Sequence, residues 1–283
     1  MTAHSRIGAS SMYQWSECPG SIQHRVDNPT PPSEYATEGT LAHDVAENLI
    51  LQTLGMDYDL PDHTEEMRNY VMEYVDYCLD LKQKTGADYA IEQSFHLKEV
   101  DDRAFGTNDF SCWRDFDCLH IVDLKYGMGE VQAKGNLQLM YYALGCVMEN
   151  DLDVNDIYLH IVQPRIEDSV KVHKITYNEL MDFKAYLIKA INLVDIQPDM
   201  KVAGSHCKFC NQNACPVYRD HMKEETGISV GSTMEIAKNP NELTFDQLIR
   251  IVDFKSQADA FFKQAVSLRD AMAINGEVDL TKY

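Results

Sequence analysis

Apolar residues along this chain change their spacing, and the changes mark its elements. Leu41, Val45, Leu49 and Leu51 recur close to the helical period, which predicts a helix over residues 40–54 ended by Gly55. Met67, Tyr70, Val71, Tyr74, Val75 and Leu79 form a second helical stripe over residues 63–85, with Gly86 as its stop. The period then shortens. Residues 89–97 alternate, 104–113 read as a strand, and 118–124 form an apolar run closed by Tyr126-Gly127. Leu137, Met140, Tyr141 and Leu144 share one face of a helix over residues 135–148. Two further strands follow at 157–163 and 170–175, then helices at 178–194 and 245–273, the last as one long amphipathic helix or a helical pair. The N-terminal stretch carries Ser11, Trp15, Cys18 and the turn-forming pair Pro19-Gly20, and the loop after it, with Pro29, Pro31 and Pro32, cannot be helical. A three-strand meander, a helix and two more strands imply an α/β fold, a mixed central sheet flanked by helices. Neither an internal repeat nor a low-complexity tract interrupts it.

Composition narrows the class. The 283 residues, 45% hydrophobic and 25% charged, fit an ordinary globular protein. No apolar run approaches a membrane span, and Met-Thr-Ala-His-Ser-Arg lacks the apolar core of a secretory signal, so a cytoplasmic location with reduced thiols and no membrane partner is expected. The net charge of −20 opposes electrostatic coating of a polyanion. A bound divalent cation would reverse that sign locally, and such a protein should bind DNA weakly, with strong salt sensitivity, and rely on a partner for loading.

Of eight cysteines, Cys78, Cys112, Cys118 and Cys146 lie within periodic apolar segments and read as packed core thiols. Cys207, Cys210 and Cys215 differ. They crowd a polar loop with ligand-like spacing, followed by Pro216, and they need a fourth partner. His206 would complete a zinc site of one His and three Cys, whereas Cys18 would complete four thiolates for a [4Fe–4S] cluster. Spacing leaves both open.

The candidate chemistry lies in Gly106-Thr107-Asn108-Asp109 and Ile121-Val122-Asp123-Leu124-Lys125. Asp109 and Asp123, with the Leu124 carbonyl, offer hard oxygen ligands for Mg²⁺ or Mn²⁺. Lys125 stands two residues after Asp123, so a strand turns both side chains to one face. Asp80, Asp182, Asp199 and Asp253 head the same Asp-x-Lys pattern, but three of those fall in predicted helices and one in a loop. On the triplet alone a solvent-facing ion pair is the plainer reading. His43, on the first turn of a helix whose start Gly39 marks, adds an imidazole ligand. Asn136, Gln138 and Tyr142 add polar groups at the start of the next helix, suited to a phosphate or a substrate strand. One of Tyr141 and Tyr142 is expected in the core.

This set resembles the RecB-like exonucleases of the PD-(D/E)XK superfamily. Gly39 to His43, Asp109 after Gly106, Asp123 with Lys125, and Gln138 with Tyr142 match four motifs in the family's order. Trp15 to Ser21, Asp123 to Gly127, Asn136 to Leu139 and Tyr142 to Gly145 resemble a phage and prophage branch most closely. The resemblance implies a restriction-endonuclease-like sheet. It implies His43, Asp109 and Asp123 as metal ligands, Asp109, Asp123 and Lys125 as the catalytic set, and Gln138 and Tyr142 as substrate contacts. Glu92 on the preceding strand is an accessory acid in this reading. It also implies Cys18, Cys207, Cys210 and Cys215 as iron–sulfur ligands, stapling the N-terminal segment to the C-terminal one. The expected organisation is a nuclease domain over residues 1–225, including the Cys-rich knot at 206–216, and a helical tail over 226–283. The expected activity is metal-dependent exonucleolytic hydrolysis of single- or double-stranded DNA from its ends, in phage recombination or DNA processing, alongside a recombination partner protein. A second reading keeps the nuclease fold as a non-catalytic DNA- or protein-binding module, with the tail's Leu248, Ile251, Phe254, Phe261, Phe262, Val266 and Leu268 as a docking face.

Overall fold

The computed structural model describes residues 5–30, 33–85, 88–226, 228–229, 235–236, 245 and 255–274. Pro31, Pro32, Gly86, Leu248, Ile251, Asp253 and Phe254 lie outside them. Two compact units emerge, one of residues 1–13 with 31–192, the other of residues 14–30 with 193–283.

The first unit is built on a five-stranded mixed sheet. Its strands are β1 (Asp88–His96), β2 (Phe105–Arg114), β3 (Cys118–Leu124), β4 (Asp156–Val162) and β5 (Val170–Thr176), in that spatial order. Neighbours run antiparallel except β3 and β4, which pair in parallel from Cys118↔Asp156 to Leu124↔Val162. Parallel neighbours need a crossover, and a helix, Leu137–Glu149, supplies it. We number the helices in chain order: α1 (Met12–Glu17), α2 (Ser21–Asp27), α3 (Glu34–Thr53), α4 (Glu65–Thr85), α5 (Leu137–Glu149) and α6 (Tyr177–Ile196).

The α3 and α4 stripes meet the sheet through Val45, Leu49, Val71, Tyr74 and Val75, packed with Phe110, Cys112, Val122 and Leu124 of β2 and β3. On α5, Gly145 allows close contact: a Cβ there would lie 2.5 Å from that of Phe95. Cys78, Cys112 and Cys146 are fully buried, while Cys118 is only half-buried at the start of its strand.

One boundary moves. Gly39 does not start the helix; it lies inside α3, because Ser33 caps the helix with its hydroxyl accepting from the Ala36 amide at 3.2 Å. The first turns of α3 carry exposed residues such as Tyr35, so apolar periodicity was silent there. The segments around Trp15 and Cys18 are also helical, as α1 and α2, though too short to show a period.

Within the second unit, the Cys18 segment sits with the Cys-rich loop: the Gly20 amide donates to the Met200 carbonyl at 2.7 Å. Two short 3₁₀ turns, Ser205–Phe209 and Gln212–Ala214, carry the loop into a helix, Pro216–Thr226. A later helix, Lys255–Ile274, leaves Phe262 and Val266 about half exposed, at 46% and 47%. No described helix is long and apolar enough to cross a membrane.

Candidate active site

The β1–β2 ladder holds one register throughout, yet its pleat reverses. Ile91 packs against the α3–α4 cluster with Phe110, whereas Phe95 meets Gly145 of α5 and Gly106 meets Tyr142. Residues four apart on a regular strand share a face, so Ile91 and Phe95, and likewise Gly106 and Phe110, should not part company. The reversal falls at Glu92, whose φ of 45 puts a non-glycine residue in the left-handed region. Its position opposite Asp109 is missing from the pairing between Ile91↔Phe110 and Gln93↔Asn108. Both carboxylates thus stand where the sheet changes face.

The next ladder ends at the same place. Pairing of β2 with β3 stops at Phe110↔Val122. Beyond it, Asp109 Oδ2 accepts the Leu124 amide at 2.6 Å, so a side chain replaces the missing ladder bond. Meanwhile β3 continues along β4, where the Lys125 amide donates to the Val162 carbonyl at 2.8 Å.

This geometry gathers the acids. Ligand atoms of His43, Glu92 and Asp109 lie within 4.8 Å of one another. His43 Nδ1 is 3.2 Å from Asp109 Oδ1. Asp123, 1% exposed, forms a 2.8 Å ion pair with Lys125 Nζ. Lys125 also donates to Gln138 Oε1 at 2.9 Å, and Gln138 Nε2 donates to the Tyr142 hydroxyl at 3.0 Å. The line from Asp123 through Lys125 and Gln138 to Tyr142 is therefore continuous. Asn136 caps α5, its Oδ1 accepting from the Leu139 amide at 3.1 Å while Nδ2 donates to the Gln132 carbonyl at 3.0 Å. Both tyrosines are buried: Tyr141 fully, with its hydroxyl donating to the Ile7 carbonyl, and Tyr142 at 4% exposed.

Electrostatics describe a site crowded with negative charge. Burial, with the Asp109 carboxylate beside it, pushes Glu92 up to about 8. Burial alone would lower His43, but the Asp109 carboxylate overrides it and lifts the imidazole to about 9. Burial likewise lifts Asp123 above the usual carboxylate range against the pull of Lys125. Asp109 goes the other way: burial opposes ionisation, but His43 and Lys125 hold its carboxyl below that range. Glu92 and Asp109 around His43, with Asp123 beside Asp109, form a donor set for a hard divalent cation, which would take over the neutralising role of the His43 proton.

The four cysteines of the second unit, all free thiols, line one cavity with His24, His206 and Tyr218. Cys18 Sγ accepts from the Val202 amide at 3.4 Å, and Cys210 Sγ accepts from Gln14 Nε2 at 3.5 Å. His206 also faces this cavity, with Nε2 2.9 Å from the Val202 carbonyl oxygen. Burial raises the thiols of Cys18, Cys207 and Cys210, the last to about 12. Among the described residues, no three of these ligand atoms come within 4.8 Å of one another. Tetrahedral zinc with bonds of about 2.3 Å would draw thiolates to roughly 3.8 Å.

A family model described as "Protein of unknown function (DUF2800)" matches residues 4–277. The chain belongs to this family. Solved structures similar to this DUF2800 chain include a Eubacterium rectale "Putative exonuclease", at 7% identity and a TM-score of 0.45, over 72% of this chain and 85% of that one. An alkaline exonuclease from Laribacter hongkongensis is similar at 9% identity and a TM-score of 0.31, over 66% of this chain and 94% of that one. The same enzyme in complex with dAMP matches at 10% identity and a TM-score of 0.31, over 67% and 92%.

Sequence reasoning about this DUF2800 protein named the side chains but not what sets them. The pleat reversal at Glu92 and the Leu124 amide on Asp109 had no signal in residue type. Gln163 also went unnoticed, although a glutamine directly after an apolar strand, followed by Pro164 and Arg165, is an unusual strand end.

Proposed function

We propose that this protein is a divalent-metal-dependent deoxyribonuclease acting on DNA ends. The observation that carries the reading is the union, on one corner of the sheet, of the His43–Glu92–Asp109 ligand group with the Asp123–Lys125 ion pair. His43, Glu92, Asp109, Asp123 and the Leu124 carbonyl are the groups that would hold Mg²⁺ or Mn²⁺. When bound, such an ion supplies Lewis acidity toward a phosphoryl oxygen and lowers the pKa of water. Lys125, kept protonated by Asp123, offers a fixed positive charge for the phosphorane-like charge that builds on the phosphate. Gln138 orients that ammonium, and Tyr142 orients Gln138. Glu92, lifted by burial and by the neighbouring Asp109, would give up its proton on metal binding and join the ligand set.

The motif resemblance supports DNA as the substrate and phage recombination or DNA processing, with a recombination partner, as the setting. For the cysteine cavity we propose a [4Fe–4S] cluster on Cys18, Cys207, Cys210 and Cys215 in preference to zinc. The motif resemblance supports this, and Cys18, Cys207, Cys210 and Cys215 all line one cavity.

The test is an assay on end-labelled single- and double-stranded DNA with Mg²⁺ or Mn²⁺. Nucleotide release by the wild type, abolished in Asp109→Ala and Lys125→Ala, is expected. Equal, metal-independent behaviour of all three proteins would leave a binding module as the better reading.

A further inference from the structure

Between Lys125 and Gln138, the two partners of the site's polar line, runs a loop that its own composition would leave loose. It holds Gly127, Gly129 and Gly135, and residues 127–130 are exposed. At Gly127 and Gly129 an added Cβ would meet nothing within 4 Å, so neither glycine is there for lack of room. A stretch of this kind loses much backbone entropy when it orders. Something must hold it.

The holder comes from the end of β4. Gln163 is fully buried, directly after Val162, whose carbonyl accepts the Lys125 amide. Its Nε2 donates to the Gly127 carbonyl at 2.6 Å and to the Gly129 carbonyl at 2.8 Å, while its Oε1 accepts the Val131 amide at 3.1 Å. Both amide hydrogens and the amide oxygen are therefore committed to the backbone of one loop, a buried side chain standing in for a strand of ladder. Two residues on, the Arg165 guanidinium lies 4.8 Å from the centroid of the Tyr126 ring and pairs with Glu38 at 3.0 Å. Tyr126 also packs edge-on against Tyr70, and Ala133 is buried farther along, while at the exposed stretch between them Lys171 reaches Glu130 only at 3.8 Å.

We infer that Gln163 is a positioning residue, which fixes the Gly127–Val131 loop and so sets the distance between Lys125 and Gln138. Arg165 secures Tyr126, the residue before that loop. This inference rests on the nuclease reading of the same site. Gln163 touches neither the ligand group nor the ion pair, so its loss should act on turnover and spare the metal.

The test uses Gln163→Met, which keeps the length of the side chain and removes its hydrogen bonds, beside Gln163→Glu, which sets a carboxylate against two carbonyls. The kcat for linear DNA with Mn²⁺ should fall about 10- to 100-fold, with KM and Mn²⁺ affinity within about threefold of wild type. Amide exchange at Val131 should accelerate in both variants. Unchanged kcat, or Mn²⁺ affinity lost in parallel with kcat, would overturn the inference, the second because it marks general damage. Should a variant not fold, exchange in the wild type decides. Val131 should be protected while Met128, at the exposed tip, exchanges freely; an unprotected Val131 would refute the clamp. A wild type with no cleavage would reject the nuclease reading, and the exchange results would still judge the clamp.

Discussion

The carboxylate corner and the cysteine cavity are both groups of metal-ligating side chains, yet they are assembled in opposite ways. The corner is made by the regular structure itself. A pleat reversal at Glu92 and an interrupted β2–β3 ladder bring three ligand atoms within 4.8 Å of one another. The cysteines hang on turns and short helices around a hollow, and among the described residues no three of those ligand atoms come as close. The corner's geometry is therefore set by backbone hydrogen bonds and should persist without an ion. The cysteine loop is held by scattered side-chain hydrogen bonds, such as His24 with the Asn211 carbonyl and Gln212 with the Cys207 carbonyl, and a bound metal should add to its order.

That contrast can be broken at either end. The largest effect is expected from Lys125→Ala, which takes the ammonium away from Asp123: about a 10²- to 10³-fold loss of kcat on end-labelled DNA, with a lowered thermal midpoint because a buried carboxylate loses its partner. Full activity in the folded variant would show that Lys125 is only a structural ion. Next comes Cys210→Ser, which should abolish bound iron and sulfide by analysis and cost the second unit about 3 kcal/mol or more in denaturant melts. Stoichiometric zinc in the wild type would contradict the cluster.

A smaller effect concerns pH. His160 and His120 are buried and 3.0 Å apart on neighbouring strands, with the Tyr77 hydroxyl 2.8 Å from His160. Burial lowers them from 6.5 to about 3 and about 4. With folded values below unfolded ones, the unfolded chain takes up protons first, so stability is full above about 6.5 and falls as the pH drops toward 4. The slope should reach about 1.4 kcal/mol per pH unit per histidine. His160→Gln should flatten it in urea melts between pH 4.5 and 7; an unchanged slope would rule out the pair as its source. The smallest effect is expected from Glu92→Gly. Relief of the left-handed backbone and of the repulsion with Asp109 should stabilise the metal-free protein by about 1 kcal/mol, at the cost of weaker Mn²⁺ binding. A destabilised variant would show that Glu92 carries no strain.

Much of the fold was legible because the five strands and the longer helices bury one face, and burial writes a period into the sequence. Strand limits agree to within a residue or two, as at Cys118–Leu124. What was not legible lacks a period. The first turns of α3 are solvent-exposed, α1 and α2 are under two turns long, and the cap by Ser33 competes with a glycine that looked like a boundary. At the site, Asp123 and Lys125 could be paired from strand spacing, and the 2.8 Å ion pair follows from it. Glu92 and Asp109 obey no such rule, because the rule of alternation is suspended where they stand. Asn136 was expected to meet substrate, and its side chain also caps α5, a role that its position alone did not announce. Local hydrogen bonds of that kind are not encoded in residue type alone.

On the proposed reading, the carboxylate corner holds a divalent ion and cleaves DNA with it. The most direct measurement is nucleotide release from end-labelled linear DNA across a Mn²⁺ titration, wild type beside Asp123→Ala, with Mn²⁺ binding followed in the same samples. The account predicts release that tracks occupancy of a saturable Mn²⁺ site in the wild type, and loss of at least about a thousandfold in the variant. Tight Mn²⁺ binding with no release from any DNA end, or release that Asp123→Ala leaves intact, would contradict it.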